Sequence, residues 1–198
     1  MNDAATKLAY LHQRKIGDCQ RCELGKTRNT IVFGEGSPEA QLMFVGEGPG
    51  RTEDELGRPF VGRAGQLLDR WILHLGLKRE DVFIANILKC RPPQNRDPWE
   101  WEIQACTPYL RVQIAVIQPK VLVALGRFAG GFLSGERGAP MKALREMTTA
   151  KWVDEKSGVS VPVVPIYHPA YVLYQGGAGS RAEQTALADL DRVRDLLA

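Results

Sequence analysis

The sequence predicts an α/β domain built on a parallel sheet with helices on both faces. Short, wholly apolar runs recur at 41–46, 82–88, 121–125 and 161–167, and segments of helical periodicity separate them. A strand that is apolar along its whole length is buried on both sides, the condition of a parallel sheet between helix layers. The polar and glycine-rich signals GEGPG (46–50), Asn86 and His168-Pro169 all follow directly on, or close, these apolar runs. Ligands of such folds gather beyond the carboxyl ends of the strands, so these residues are predicted to meet at one rim.

In chain order, residues 3–15 read as a short helix ended by Gly17, ahead of a Cys-x-x-Cys loop. QLMFVG (41–46) is a strand feeding the glycine-rich turn. Leu67, Leu68, Trp71, Ile72 and Leu75 make an apolar stripe that predicts an amphipathic helix over 63–75. VFIANIL (82–88) is the second strand, and the prolines of KCRPPQNRDP forbid regular structure after it. Trp99, Ile103, Cys106, Leu110, Ile114 and Ile117 follow helical spacing. VLVAL (121–125) and VPVVPIY (161–167) are strands three and four, with a short helix over 126–133 between them. The tail from Ala182 to Leu197 is amphipathic through Ala186, Leu187, Leu190, Val193 and Leu197.

The composition is that of an ordinary globular protein: 198 residues, 44% apolar, 25% charged, and 26 basic against 23 acidic side chains for a net +3. It excludes a disordered tail, a collagen-like chain and a coiled coil, and the length suits one domain over 1–198. No apolar run approaches the ~18 residues of a membrane span. The N-terminal stretch lacks the basic-then-apolar layout of a secretory signal, so a soluble, cytosolic protein with no membrane partner is expected. Nothing in the sequence calls for an oligomer, and a monomer is expected. A net +3 allows nucleic acid as a partner without requiring it.

Cys19 and Cys22 form a Cys-x-x-Cys pair, and Cys90 and Cys106 stand far downstream with fifteen residues between them. In a reducing compartment four such cysteines point to a metal site before two disulfides. Four thiolates suit zinc or an iron–sulfur cluster. Zinc modules usually bring two close pairs, which Cys90 and Cys106 are not, so the spacing leans toward a cluster. Either group would staple the N-terminal arm to the segment after Asn86.

Several motif-like stretches fail on inspection. Gly25-Lys26-Thr27 lacks the upstream glycine of a phosphate loop and follows no strand, and Pro49 removes an N–H that a dinucleotide turn would use. No His-x-Glu precedes the cysteines, as a zinc deaminase requires, and no Gly-x-Ser-x-Gly elbow occurs. His12 and His74 are expected on helix surfaces or seams.

CQRCELGKTRN, GEGPGRTEDELGRPFVGRAGQLLDR, ANILKCRPPQNRDP, Cys106 and YHPAYVL, in this order and spacing, resemble the family 4 uracil-DNA glycosylases, the iron–sulfur uracil-excision enzymes of bacteria and archaea. The likeness runs from about Cys19 to Leu173. It implies a three-layer α/β/α sandwich around a four-stranded parallel sheet, and a structural [4Fe–4S] cluster on Cys19, Cys22, Cys90 and Cys106, with zinc the less suited occupant. It also implies hydrolysis of the uracil–deoxyribose bond in single- and double-stranded DNA, opening base-excision repair. A glycosylase of the same fold for another deaminated base, or a non-catalytic iron–sulfur DNA-binding protein, are the rival readings; the presence of Glu47, Asn86 and His168 disfavours the latter.

By this resemblance Phe60 stacks on the uracil face, Asn86 reads its edge and His168 stands near O2, while Gly46, Glu47 and Gly48 line the substrate site. Asn86 is informative by itself, because its carbonyl can accept from N3–H while its NH2 donates to O4, a pattern cytosine reverses. Glu47 is the first choice to position water, since Gly48 stands where other uracil-excision families place an Asp; Glu53 and Asp54 are held in reserve. An apolar wedge into the minor groove is expected after His168. Tyr171, Val172 and Leu173 are its candidates, with Leu173 preferred. Lys89, Arg91 and Arg96 are candidates for phosphate contacts. Two departures from the family are Arg51 in place of a frequent acid, and Tyr174-Gln175 where an Arg is common. The segment 89–106 holds no His, so product release rather than a covalent DNA adduct is expected.

Overall fold

The sheet has six strands, and its order follows from where the apolar runs fall. The computed structural model describes residues 3–148, 150–154 and 158–198. The strands are β1 (Glu35–Gly36), β2 (Leu42–Gly46), β3 (Phe83–Asn86), β4 (Val121–Leu125), β5 (Lys151–Asp154) and β6 (Val159–Ile166), arranged β1-β3-β2-β4-β6-β5. The four central strands β3, β2, β4 and β6 are mutually parallel, as the sequence predicts. The two edge strands pair antiparallel and were not predicted. β1 is only two residues long, and β5 alternates exposed and buried positions, so neither carries an unbroken apolar run.

Successive side chains of the central strands turn to opposite faces. Met43, Val45, Phe83, Ala85, Leu122 and Ala124 pack in one core, and Leu42, Phe44, Val82, Ile84, Val121 and Val123 in the other. The first core is covered by α1 (Asp3–Tyr10), α5 (Glu100–Ile117) and α6 (Arg127–Ser134), supplying among others Leu8, Ile103, Leu110, Ile114 and Phe132. The second is covered by α4 (Arg63–His74), α8 (Pro169–Tyr174) and α9 (Arg181–Leu197), through Leu68, Trp71, Ile72, Val172, Leu190 and Val193. Three layers result. Among the described residues no helix is long and apolar enough to cross a membrane.

The first helix is shorter than its pattern suggests. It widens into a π-helical turn over Leu11–Ile16, closed by the Gly17 N–H donating to the His12 carbonyl. The described residues also include the short α-helices α2 (Leu24–Thr27), α3 (Arg51–Leu56) and α7 (Met141–Glu146), and single 3-10 turns at Arg79–Asp81 and Pro93–Asn95. His12 stacks on Phe33 and His74 meets Asp191 at 3.1 Å, so both lie at seams away from the carboxyl rim.

Parallel pairing sets the rim. Gly46 is level with Asn86, and Leu125 with Ile166, so the four strands end together. Glu47, Asn86, Gly126 and the Tyr167-His168 pair therefore leave the sheet along one line.

Candidate active site

A cavity of about 310 Å³ opens at this rim. Glu47, Gly48, Pro49, Gly50 and Glu53 line it from the β2 side, Phe60 and Ala64 from the approach to α4, Asn86 from β3 and His168 with Ala170 from the end of β6. Pro92, Asn95 and Arg96 close the remaining side. A small cleft with a few convergent polar groups at the carboxyl end of a parallel sheet is the ordinary form of a ligand site.

Asn86 is 1% exposed, and among the described residues its Oδ1 has no hydrogen-bond partner. A buried amide oxygen left this way costs about 1–3 kcal/mol, so it marks a place where a ligand's donor belongs. Phe60 stands with φ at +49°, an uncommon backbone state for a bulky residue, and its ring centroid is 5.6 Å from that of His168. Gly65 makes this turn possible: a methyl there would sit 1.8 Å from the Phe60 carbonyl oxygen.

The His168 Nδ1 accepts the Ala170 N–H at 3.1 Å. That nitrogen carries no proton, so the neutral ring has its N–H at Nε2. Burial pulls the imidazole down to about 4, against the opposing pull of the Glu53 carboxylate, and the ring is neutral at physiological pH. Gly126, which ends β4, allows its approach, since a methyl there would lie 3.1 Å from the His168 Cβ. Glu47 behaves in the opposite way. Burial pushes its carboxyl up to about 7, the Asp97 carboxylate adding to the rise and Arg127 opposing it. A carboxyl poised near neutrality is suited to take a proton from water.

Several expected residues lie elsewhere. Gly46 is one layer behind the cavity, where a methyl would stand 2.4 Å from Asn86 Oδ1 and 2.6 Å from Phe60 Cζ; its bareness lets those two groups pack. Asp54 is 1% exposed and accepts from the Asn29 N–H, the Asn29 amide and the Thr30 N–H, so it clamps α3 to the N-terminal arm and does not reach the site. Glu53 does line the cavity, but its Oε1 is occupied by the N–H groups of Val61 and Gly62 at 2.9 and 2.8 Å, which fixes the Phe60 turn. The free N–H groups ahead of a helix are the signal that could have assigned it.

Val172 is wholly buried in the second core, because α8 turns it inward, and it cannot serve as a wedge. Leu173 is half-buried against the same core, while Tyr171 and Tyr174 are exposed. Lys89 is also corrected. It is 1% exposed, and its ammonium donates to the Asn86 carbonyl at 2.9 Å and to Gln113 at 2.6 Å, out of reach of any phosphate. Arg96 is bound to Glu102, and Arg91 donates to Asn95.

Cys19, Cys22, Cys90 and Cys106 are free thiols and line one small cavity with Ile16, Ile31, Lys89 and Tyr109. Donors surround the sulfurs. The Lys89 N–H reaches Cys106 at 3.2 Å, an Arg28 guanidinium nitrogen lies 3.7 Å from Cys90, and the Tyr109 hydroxyl is 3.3 Å from Cys19. Burial pushes the Cys90 thiol up to about 11 and the Cys106 thiol to about 12, so a bound metal must displace their protons. Among the described residues no three His, Cys, Asp or Glu side chains are gathered tightly enough to grip a single ion. Four thiols around one cavity, with a cation and sulfur-directed donors beside them, have the chemistry of a metal-binding set. Gly25 belongs to this region, its Cα facing the Cys19 carbonyl and Arg28.

Comparison with known proteins relates the chain to one family. The model of the family described as "Uracil DNA glycosylase superfamily" matches residues 33–191. A type-4 uracil-DNA glycosylase of Archaeoglobus fulgidus is 46% identical over 162 residues, 82% of this chain and 81% of that one. One from Sulfurisphaera tokodaii is 42% identical over 185 residues, 93% of this chain and 82% of its own. One from Thermotoga maritima is 37% identical over 191 residues, 96% and 95% of the two.

Two substitutions test the architecture of the cavity wall by denaturant unfolding. Asp54→Ala leaves three partly buried donors of the N-terminal arm without their acceptor and is expected to cost about 1–3 kcal/mol. Gly65→Ala, which forces the Phe60 turn to move, is expected to cost about 1–3 kcal/mol. Wild-type midpoints in both variants would contradict these contacts.

Proposed function

The chain belongs to the uracil DNA glycosylase superfamily, and from that premise we propose that it is a uracil-DNA glycosylase. It hydrolyses the N-glycosidic bond of deoxyuridine in single- and double-stranded DNA and so opens base-excision repair. The observation that carries this reading is Asn86, a buried strand-end amide whose Oδ1 lacks a partner at a nucleobase-sized cavity.

The everted base enters the cavity at a cost of a few kcal/mol for unstacking. Phe60 covers its face. The Asn86 Oδ1 accepts from uracil N3–H while its NH2 donates to O4; cytosine offers an acceptor and a donor in those places and leaves the amide unpaired. As the C1′–N1 bond breaks, its electron pair departs with the base and negative charge grows on O2. The His168 Nε2–H, neutral and fixed by the Ala170 contact, donates to that oxygen without giving up its proton. Glu47 takes a proton from the water that bonds to C1′, and its charge offsets the cationic sugar. The backbone of Gly48 stays close to the substrate, and Leu173 is the proposed wedge, with exposed Tyr171 and Tyr174 beside it.

Cys19, Cys22, Cys90 and Cys106 would hold a [4Fe–4S] cluster. When bound, it supplies a covalent staple between the N-terminal arm and the loop after Asn86, within one domain over 1–198. A thiolate-held cluster suits a reducing cytoplasm, and we propose that the protein acts there as a monomer.

Uracil release from oligonucleotides, read as strand cleavage after alkali, tests the proposal. Glu47→Ala and His168→Ala are each expected to slow release about 10²-fold or more. Asn86→Asp is expected to gain activity on cytosine at the expense of uracil. No uracil release by the unaltered protein would overturn the reading.

The pH profile has a defined sign. The kcat/KM should rise with pH through about 7 as Glu47 loses its proton, then stay level, because His168 is neutral from about 4 upward. Glu47→Gln should remove the rise. The raised carboxyl binds its proton more tightly in the folded state, so stability falls as pH climbs from the ordinary carboxylate value through about 7. Glu47→Gln should therefore melt higher than wild type at pH 8.

Purified protein is expected to be brown and to carry about four irons per chain. Cys106→Ser should lose iron and melt lower. One zinc and no iron would refute the cluster.

A further inference from the structure

Beside the mouth of the cavity stand two indoles that take no part in the chemistry above. Trp99 is 51% exposed and Trp101 43%, whereas Trp71 and Trp152, the other two tryptophans, are buried. The exposed pair has ring centroids 5.8 Å apart at an interplanar angle of 34°. Arg96, part of the cavity wall, places its guanidinium 3.5 Å from the centroid of Trp99. The pair is thus joined through Arg96 to the wall of the base pocket.

A buried carboxylate holds the arrangement. Glu102 is fully buried, and it accepts from both terminal guanidinium nitrogens of Arg96, at 2.9 and 2.6 Å, and from the Trp99 backbone N–H at 2.8 Å. One anion therefore fixes both the cation and the backbone that carries the first ring. Groups ordered in advance lose little freedom on binding. Scattered exposed apolar residues need no explanation, but two adjacent indoles braced from below at the rim of a nucleobase pocket do.

We infer that Trp99 and Trp101 form a stacking platform for unpaired nucleobases of the DNA strand flanking the everted nucleotide, favouring uracil in single strands. The inference rests on the uracil-DNA reading, and the continuity of the pair with that pocket selects DNA as its occupant. Every base has a π face, so such a platform works whatever the flanking sequence, and Arg96 adds cationic attraction. In a duplex the flanking bases are stacked on one another and their faces are not available to it.

The test measures uracil release by full-length wild type, Trp99→Ala, Trp101→Ala and the double variant on three substrates. These are a single strand, the same strand with base-less spacers flanking the uridine, and a U·A duplex. On the natural single strand the double variant should raise KM by roughly five- to a hundredfold with kcat unchanged, the range expected for losing one stacked base. It should match wild type on the spacer strand and on the duplex, and Trp99→Phe should restore most of the affinity.

A wild-type KM for the double variant on the natural strand overturns the platform. So does an equal loss on all three substrates, which would mark a structural role. If the wild type itself releases no uracil, the parent reading fails separately. The platform is then judged by quenching of tryptophan fluorescence with uracil-free single-stranded DNA: quenching lost in the double variant supports it, and no quenching refutes it.

Discussion

The register of one pair of parallel strands governs the site. Gly46 lies level with Asn86, so the turn that carries Glu47 and the amide that ends β3 leave the sheet together. The bare Cα of Gly46 then lets Asn86 and Phe60 close over it at distances no side chain would allow. A slip of one residue would turn every side chain of the strand to the opposite core and separate the amide from the carboxylate. The two cores are close-packed around side chains of different size, which makes such a slip costly. Burial in the core thus sets the geometry at the rim.

Lys89 connects the rim to the four cysteines. Its ammonium holds the carbonyl of Asn86, and its own N–H points at the Cys106 sulfur. Burial pulls the ammonium down to about 8, while the Cys106 and Cys90 charges work to keep it protonated. A cation sealed in the interior is tolerable only where partners surround it. Gln113 supplies one, passing the contact on by donating to the Phe33 carbonyl. One side chain thus bridges the cysteine cavity and the residue at the base pocket's end of β3.

Much of this was legible in the sequence because it depends on unbroken apolar runs. The four central strands, the helices packed on them and the convergence of Glu47, Asn86 and His168 all follow from strand ends that the pattern marks, whereas Phe60 was marked by the family resemblance. Edge strands escape the same reasoning, since β1 has two residues and β5 faces water on alternate positions. The misplaced residues share another cause: their roles depend on partners distant in the chain. Lys89 looks like a surface cation until Gln113 is beside it, and Asp54 resembles a reserve base until Asn29 and Thr30 fold against it. Val172 fits an apolar wedge by composition, but the helical turn begun by His168-Pro169 points it into the core.

Three unfavourable features meet around the cavity, although others lie elsewhere among the described residues, such as the unpartnered indole N–H groups of Trp71 and Trp152 and the positive φ of Gln118. Asn86 buries an oxygen without a partner, Phe60 holds a left-handed backbone, and Glu47 keeps a carboxylate where burial resists its charge. Each cost is borne by rigid surroundings: the strand end for Asn86, the Glu53 carboxylate and bare Gly65 for Phe60, and the turn out of β2 for Glu47. A base with a donor at N3 satisfies the oxygen and supplies a face for the ring, while a forming sugar cation favours the ionised carboxylate. Among the described residues, at this cavity alone an unpartnered amide, a left-handed Phe and a carboxyl raised by burial stand together. Their coincidence is a physical argument for a catalytic pocket that does not depend on likeness to any relative.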